Sequence, residues 1–148
     1  MTTAARPESG EPDCQFCAIV HRQAPAHVVL RTEHVVAFLD VRPVFPGHVL
    51  VVPRRHLETL EELPDNLLAP LYGAVREIAG AVRVGLPAGG TFVATNNRVS
   101  QSVAHLHVHV VPRTKGDGLR GFFWPRHRYA SEAEAVGYAE RIAAALPD

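Results

Sequence analysis

The apolar positions of this chain change their spacing several times, and each change marks an element. Val28 to Leu30 and Val35 to Leu39 are short apolar runs split by Arg31-Thr32-Glu33-His34, which predicts a hairpin. Asp40 to Gly47, with two prolines and a glycine, reads as a loop. Val49 to Val52 follows as a buried strand ended by Pro53. From Pro64 to Val84 the period becomes helical: Leu67, Leu68, Leu71, Val75, Ile78, Ala79 and Val82 recur on one face, and Pro64 suits a first helical turn. Gly85 to Gly90 breaks that helix, and Thr91 to Thr95 is a strand. Phe16 to His21 is long enough for a short helix. Ser131 and Glu134 form a capping box that opens a last helix, to about Leu146. The order is α+β with an antiparallel sheet.

Between these elements, Ala104 to Val111 alternates with period two. Successive side chains of a strand point to opposite faces, so His105, His107 and His109 line one face while Leu106, Val108 and Val110 face a core. Three imidazoles in a row make a metal site, a phosphate site or a catalytic face. Asn96, Gln101 and Ser102 lie just upstream, where amide and hydroxyl groups could bind phosphate oxygens or a leaving group. A neutral imidazole is a good nucleophile near pH 7, and flanking imidazoles can donate hydrogen bonds as charge develops on a phosphoryl group. Phosphoryl or nucleotidyl transfer is therefore permitted without a catalytic metal.

Composition narrows the partners. A chain of 148 residues implies one compact domain, with Met1 to Asp13 as a disordered polar tail. The formal net charge is zero, which gives no reason to expect nucleic acid or a membrane surface. No apolar run approaches the ~18 residues of a membrane span, and the N-terminus lacks a signal-peptide core, so a cytoplasmic location is expected. The two cysteines, Cys14 and Cys17, are too few for a disulfide framework. Their spacing suits half of a tetrahedral zinc site, which histidines would have to complete; a redox pair would call for a preceding βαβ pattern, which is absent.

At this point the chain resembles the histidine-triad (HIT) family of nucleotide hydrolases and transferases. His105 to Val111 fits the family pattern of three histidines alternating with apolar residues. Ala37 to His56 and Cys14-Gln15-Phe16-Cys17 resemble further family segments, so the likeness spans residues 14–113. It implies a five-stranded antiparallel sheet with one long helix and a C-terminal helix, in a single domain over residues 14–148. It also implies a homodimer that joins two sheets side by side. His107 matches the nucleophile that attacks the α-phosphate, His105 and His109 its relay and phosphate-binding neighbours, and His48 a fourth histidine beside them. Ser102 and Gln101 match contacts to the phosphate or departing group, with Asn96 or Asn97 in the family's asparagine position. Asp40 matches a carboxylate that holds the ribose hydroxyls; Phe16, Ile19, Phe38 and Val41 match the apolar purine pocket. Without the likeness, Asp40 reads as a turn cap and those apolar residues as core.

Some bacterial members bind structural zinc through a cysteine pair and two histidines, which match Cys14, Cys17, His56 and His105. If so, His105 is a ligand and its catalytic share shrinks. The chain departs from the family in one loop. Where many members have a glycine-rich Asn-x-Gly-x-x-Ala-Gly-Gln, it has the shorter Asn96-Asn97-Arg98-Val99-Ser100-Gln101, without glycine.

The implied activity is hydrolysis or transfer of a purine nucleotide at its α-phosphate through a nucleotidyl-histidine, with a phosphoramidate or a dinucleoside polyphosphate as substrate. The alternatives are an AMP-sensing regulator with little catalysis and a zinc-binding interaction module. Beyond residue 113, the segment 114–148 is expected to select substrates or simply to pack. Phe122-Phe123-Trp124-Pro125-Arg126 and the cations Arg113, Lys115, Arg120, Arg126 and Arg128 serve either reading. His21, His27, His34 and His127 read as surface histidines.

Overall fold

The computed structural model describes residues 10–119 and 126–147. Residues 1–9 of the expected tail, Arg120 and Phe122-Phe123-Trp124-Pro125 lie outside the described residues. The chain divides into two compact units, Met1–Lys115 and Gly116–Asp148. The first holds helix α1 (Gln15–Val20), strands β1 (Val28–Arg31), β2 (Val35–Leu39) and β3 (Val49–Pro53), helix α2 (Asp65–Gly85), and strands β4 (Gly90–Ala94) and β5 (Val108–Arg113). The second holds helix α3 (Glu132–Ala145), whose N-cap Ser131 accepts the Glu134 N–H at 3.1 Å, the expected capping contact. No described helix is long and apolar enough to cross a membrane.

The five strands form one sheet in the order β1-β2-β3-β5-β4, with every neighbouring pair antiparallel. Period-two alternation gives this sheet two different faces. Val35 and Ala37 of β2, Val49 and Val51 of β3, and Val108 and Val110 of β5 bury against Leu67, Leu71, Val75, Ile78 and Val82 of α2. The opposite residues, Val36, Phe38, Leu50 and Val52, bury against Phe16 and Val20 of α1. Both faces being covered explains why β2 and β3 read as unbroken apolar runs.

Three sequence expectations shift. Pro64 is the N-cap of α2 rather than part of its first turn. Leu68 is 44% exposed and does not join the core stripe. The histidine strand enters the ladder only at Val108, not at Ala104. The neighbouring strand β3 ends at Pro53, which has no N–H to donate, and the Pro53 carbonyl is taken by the ring of His105. The alternation nevertheless continues upstream of the ladder, because Leu106 joins the α2-side core with Val108 and Val110.

Helix α1 is a single short stretch fixed at both ends. The Cys14 sulfur caps the Cys17 N–H at 3.4 Å. At its end, Arg22 adopts a left-handed φ of 60°. Gln23 N–H then reaches Ala18 O (2.8 Å) and Arg22 N–H reaches Ile19 O (3.1 Å), a Schellman closure that normally favours glycine. Arg31 of β1 adds its guanidinium to the Val20 carbonyl at 3.1 Å. Residues 10–13, expected in the tail, fold back here: Cys14 N–H donates to Glu11 O and Gly10 N–H to His21 Nε2.

Candidate active site and metal centre

The register of β3 with β5 sets the site. Leu50 pairs with His109, so the triad shares the α1 face of the sheet with Leu50 and Phe38. His107 is 2% exposed and stands edge-on to Phe16 of α1, with ring centres 5.1 Å apart. Its Nδ1 lies 2.7 Å from the carbonyl of His105. A carbonyl only accepts, so in the neutral ring Nδ1 carries the proton and Nε2 keeps its lone pair.

His109 and His48 form a chain of defined direction. Val44 N–H donates to His48 Nδ1 at 3.1 Å, so the neutral ring carries its proton on Nε2. That nitrogen donates to His109 Nδ1 at 2.9 Å, which leaves Nε2 of His109 as a donor. The Asp40 carboxylate stands 3.7 Å from His48 Nδ1, opposite a lone pair already engaged, so it acts as a nearby charge rather than a hydrogen-bond partner. Burial lowers the pKa of both rings; that of His109 is pushed down to about 4, with His107 and His48 adding to the effect. Both are therefore neutral at pH 7. Asp40, His48 and His109 are close enough to suggest a metal site, but these hydrogen bonds use the His48 nitrogens and His109 Nδ1. Gly47, at φ +95°, starts the turn into His48 where a Cβ would lie 2.4 Å from Leu86 Cδ1.

In front of His107 opens a cavity of about 630 Å³. Its walls include Phe16, Ile19, Phe38 and Val41, all expected at a purine pocket, together with Asp40 and Ser102. Phe16 and Phe38 are also core, so both readings of them hold at once. Asp40 likewise combines two roles: Oδ1 caps Arg42 N–H at 2.9 Å while the residue lines the cavity. Gln101 and Asn96 fare differently. The Gln101 amide donates to Glu58 O and accepts from Arg98 N–H, and Asn96 is not among the cavity-lining residues. The sequence reading missed Ala24, Pro25, Ala26 and Arg42. Arg42 had a signal, as the second residue past Asp40; the turn after α1 had none.

The second cluster sits behind His105, which is fully buried. His105 Nδ1 lies 3.4 Å from Cys14 Sγ and 3.5 Å from Cys17 Sγ, and His56 Nδ1 lies 3.3 Å from Cys17 Sγ. All four ligand atoms fall within 4.8 Å of one another. Tetrahedral zinc with ordinary Zn–S and Zn–N bonds needs sulfur–nitrogen separations of about 3.5 Å, so this donor set fits. His105 Nε2 faces Pro53 O at 2.9 Å, the outer contact that fixes a ligating ring. Burial pushes the His105 imidazole down to about 4 and the Cys17 thiol up to about 11, the latter with help from the Cys14 sulfur. With both nitrogens turned to the cluster and to Pro53, His105 has none left for a phosphate.

Comparison with known proteins agrees with this architecture. The HIT domain model matches residues 21–116. A crystal structure of a HIT family member from Bacillus subtilis superposes with a TM-score of 0.84 at 37% identity, covering 92% of this chain and 99% of that one. A Zn-bound histidine triad family protein from Mycobacterium smegmatis gives 0.69 at 36% identity, covering 89% and 97%. Adenosine 5'-monophosphoramidase hnt1 of Schizosaccharomyces pombe is 31% identical over 126 residues, 84% of this chain and 92% of its own. With its triad, fourth histidine and nucleotide-sized cavity on the fold of these relatives, the chain belongs to the HIT family.

Proposed function

We propose that the protein is a nucleotide hydrolase that cleaves purine nucleoside phosphoramidates at the α-phosphorus through a nucleotidyl-His107 intermediate. The observation that carries this reading is the 2.7 Å bond from His107 Nδ1 to the His105 carbonyl, which in the neutral ring leaves the lone pair on Nε2 of a residue that lines the cavity. Nε2 attacks phosphorus, the P–N bond to histidine forms, and the bond to the leaving group breaks with its electron pair. Ser102, on the cavity wall, relays a solvent proton to the departing amine. The ring becomes a phosphorylated imidazolium, whose charge the His105 carbonyl stabilises through Nδ1–H. His109 Nε2–H, held by His48, donates to a phosphoryl oxygen. Water then forms a P–O bond and gives up a proton to solvent, the P–Nε2 bond breaks with its electron pair returning to Nε2, and the nucleoside monophosphate leaves with His107 neutral again.

Asp40 holds the ribose hydroxyls, and Phe16, Ile19, Phe38 and Val41 enclose the base. The S. pombe relative is named for an adenosine phosphoramidate, which favours an amine leaving group over a polyphosphate. Cys14, Cys17, His56 and His105 hold a structural zinc, which would tie the start of α1 to the triad segment; the reaction itself needs no metal. Two copies pair through the exposed sheet edge, where Val93 of edge strand β4 is 43% exposed.

The test is rapid acid quench with adenosine 5'-phosphoramidate and peptide mass spectrometry. An adenylyl group on the peptide containing His107, together with AMP release, is expected. Failure to hydrolyse the phosphoramidate, or an adduct elsewhere, would overturn the reading.

A further inference from the structure

The turn before α1 holds a contact that neither the nucleotide site nor the four-ligand cluster uses. Gly10 packs directly on Cys17: a Cβ placed there would lie 2.4 Å from the Cys17 Cβ and 2.6 Å from its sulfur. The Cys17 Cβ is fixed by the backbone of α1 and cannot yield. No residue with a side chain can occupy position 10 unless the segment lifts off. Gly10 φ is not left-handed, so the need is for close approach, not for backbone freedom. The segment is held down by Gly10 N–H donating to His21 Nε2 at 3.1 Å and by Cys14 N–H donating to Glu11 O at 3.0 Å. Beside it lies a cavity of about 310 Å³ walled by Gly10, Glu11, Cys14, Cys17, His21 and Gln23. A buried metal site needs an entry path, and this cavity borders both cysteines.

We propose that Gly10 and His21 form a latch over the route by which metal enters and leaves the Cys14/Cys17/His56/His105 site. His21 is a positioning residue here, not a ligand: its Nε2 accepts the Gly10 N–H and pins the segment over Cys17. Water or a competing ligand must reach the metal for it to leave. A pinned backbone without a side chain shields Cys17 more closely than any other residue could. This inference rests on the zinc reading above.

The experiment uses the full-length protein loaded with zinc, and reads metal stoichiometry by native mass spectrometry and zinc release into a chromogenic chelator. Gly10→Val and His21→Phe, which remove the fit and the acceptor respectively, should release zinc at least about tenfold faster. His21→Gln, which keeps an acceptor at the half-exposed position, should stay close to the wild-type rate. Release within about twofold of wild type in both Gly10→Val and His21→Phe would overturn the latch. Equal acceleration in His21→Gln and His21→Phe would overturn the part given to the acceptor. Wild-type protein that never holds zinc would instead overturn the metal reading, a separate outcome visible in the stoichiometry.

Discussion

The carbonyl of His105 accepts the Nδ1–H of His107 at 2.7 Å, while the ring of His105 turns toward Cys14 and Cys17. One residue therefore serves two sites: its side chain belongs to the sulfur cluster and its backbone fixes the tautomer of the candidate nucleophile. A backbone shift at His105, such as loss of the ring's contacts would permit, would also displace the acceptor for His107. The cluster and the candidate active site thus meet at His105, although none of the four cluster residues lines the cavity in front of His107.

His107→Ala should lower turnover of an adenosine phosphoramidate by about 10³-fold or more, since removing the nucleophile leaves only binding and oxyanion stabilisation. AMP affinity, measured by calorimetry, should change little, because Asp40 and the apolar walls remain. Near-normal turnover in this variant would exclude a nucleotidyl-histidine on His107.

Cys17→Ser removes a ligand that is 2% exposed and touches both His56 and His105. Zinc stoichiometry should fall to zero and the thermal midpoint should drop by about 10 °C, because binding free energy at a structural zinc site is folding free energy. Turnover should fall as well, through the His105 carbonyl. A variant that loses zinc but keeps its melting temperature would show the site to be adventitious.

Much of this was legible in the residues, and the exceptions have physical causes. Strict alternation through Leu106, Val108 and Val110 gave the correct face for all three histidines even though the ladder starts at Val108. Burial pattern depends on where a side chain points, whereas the ladder depends on a partner N–H that Pro53 lacks. The 14–17 cysteine spacing pointed to metal, and the family likeness named His56 and His105 as its partners; spacing by itself does not say which histidines folding brings to the pair. Gln101 shows the limit most clearly. Its type and position suited a phosphate contact, yet its amide is used on Glu58 O and Arg98 N–H, a choice set by loop geometry that spacing does not encode. The Gly10 contact was equally invisible, because a glycine in a polar segment gives no hint of what lies 2.4 Å from its missing Cβ.

Acid should destabilise the fold through His109. Its folded pKa is about 4, depressed chiefly by burial and then by His107 and His48, with Asp40 opposing, against an unfolded value near 6.5. Below pH 6.5 the unfolded chain takes up a proton that the folded ring refuses until about pH 4, so stability is full above 6.5 and lost as pH falls through that window. Urea unfolding of wild type and His109→Gln from pH 7.5 to 4.5 should show the pH-dependent difference between them, about 1–2 kcal/mol after allowing for partial exposure. Parallel curves would mean that His109 titrates normally in the fold.

The glycine-free loop before the triad is closed by side chains at the cost of backbone strain. Arg98 and Ser100 sit at φ 67° and 60°, a region that residues with a Cβ enter at about 1–2 kcal/mol. Around Arg98 the chain makes a tight turn, with Val99 N–H donating to Asn97 O at 2.8 Å. Two amides hold it: Asn97 Oδ1 accepts Leu60 N–H at 2.7 Å, and Gln101 bridges Arg98 N–H to Glu58 O. Arg98→Gly and Ser100→Gly should each raise stability by about 0.5–1 kcal/mol, the relief of strain being partly offset by the greater freedom of glycine in the unfolded chain. Gln101→Ala should lower it by about 1 kcal/mol, since the bridge is exposed and water replaces part of it. Chemical denaturation of the three variants checks both signs. Destabilisation by both glycine substitutions would mean that the Arg98 and Ser100 side chains hold the loop, and that the shorter sequence replaces glycine by contacts rather than by tolerated strain.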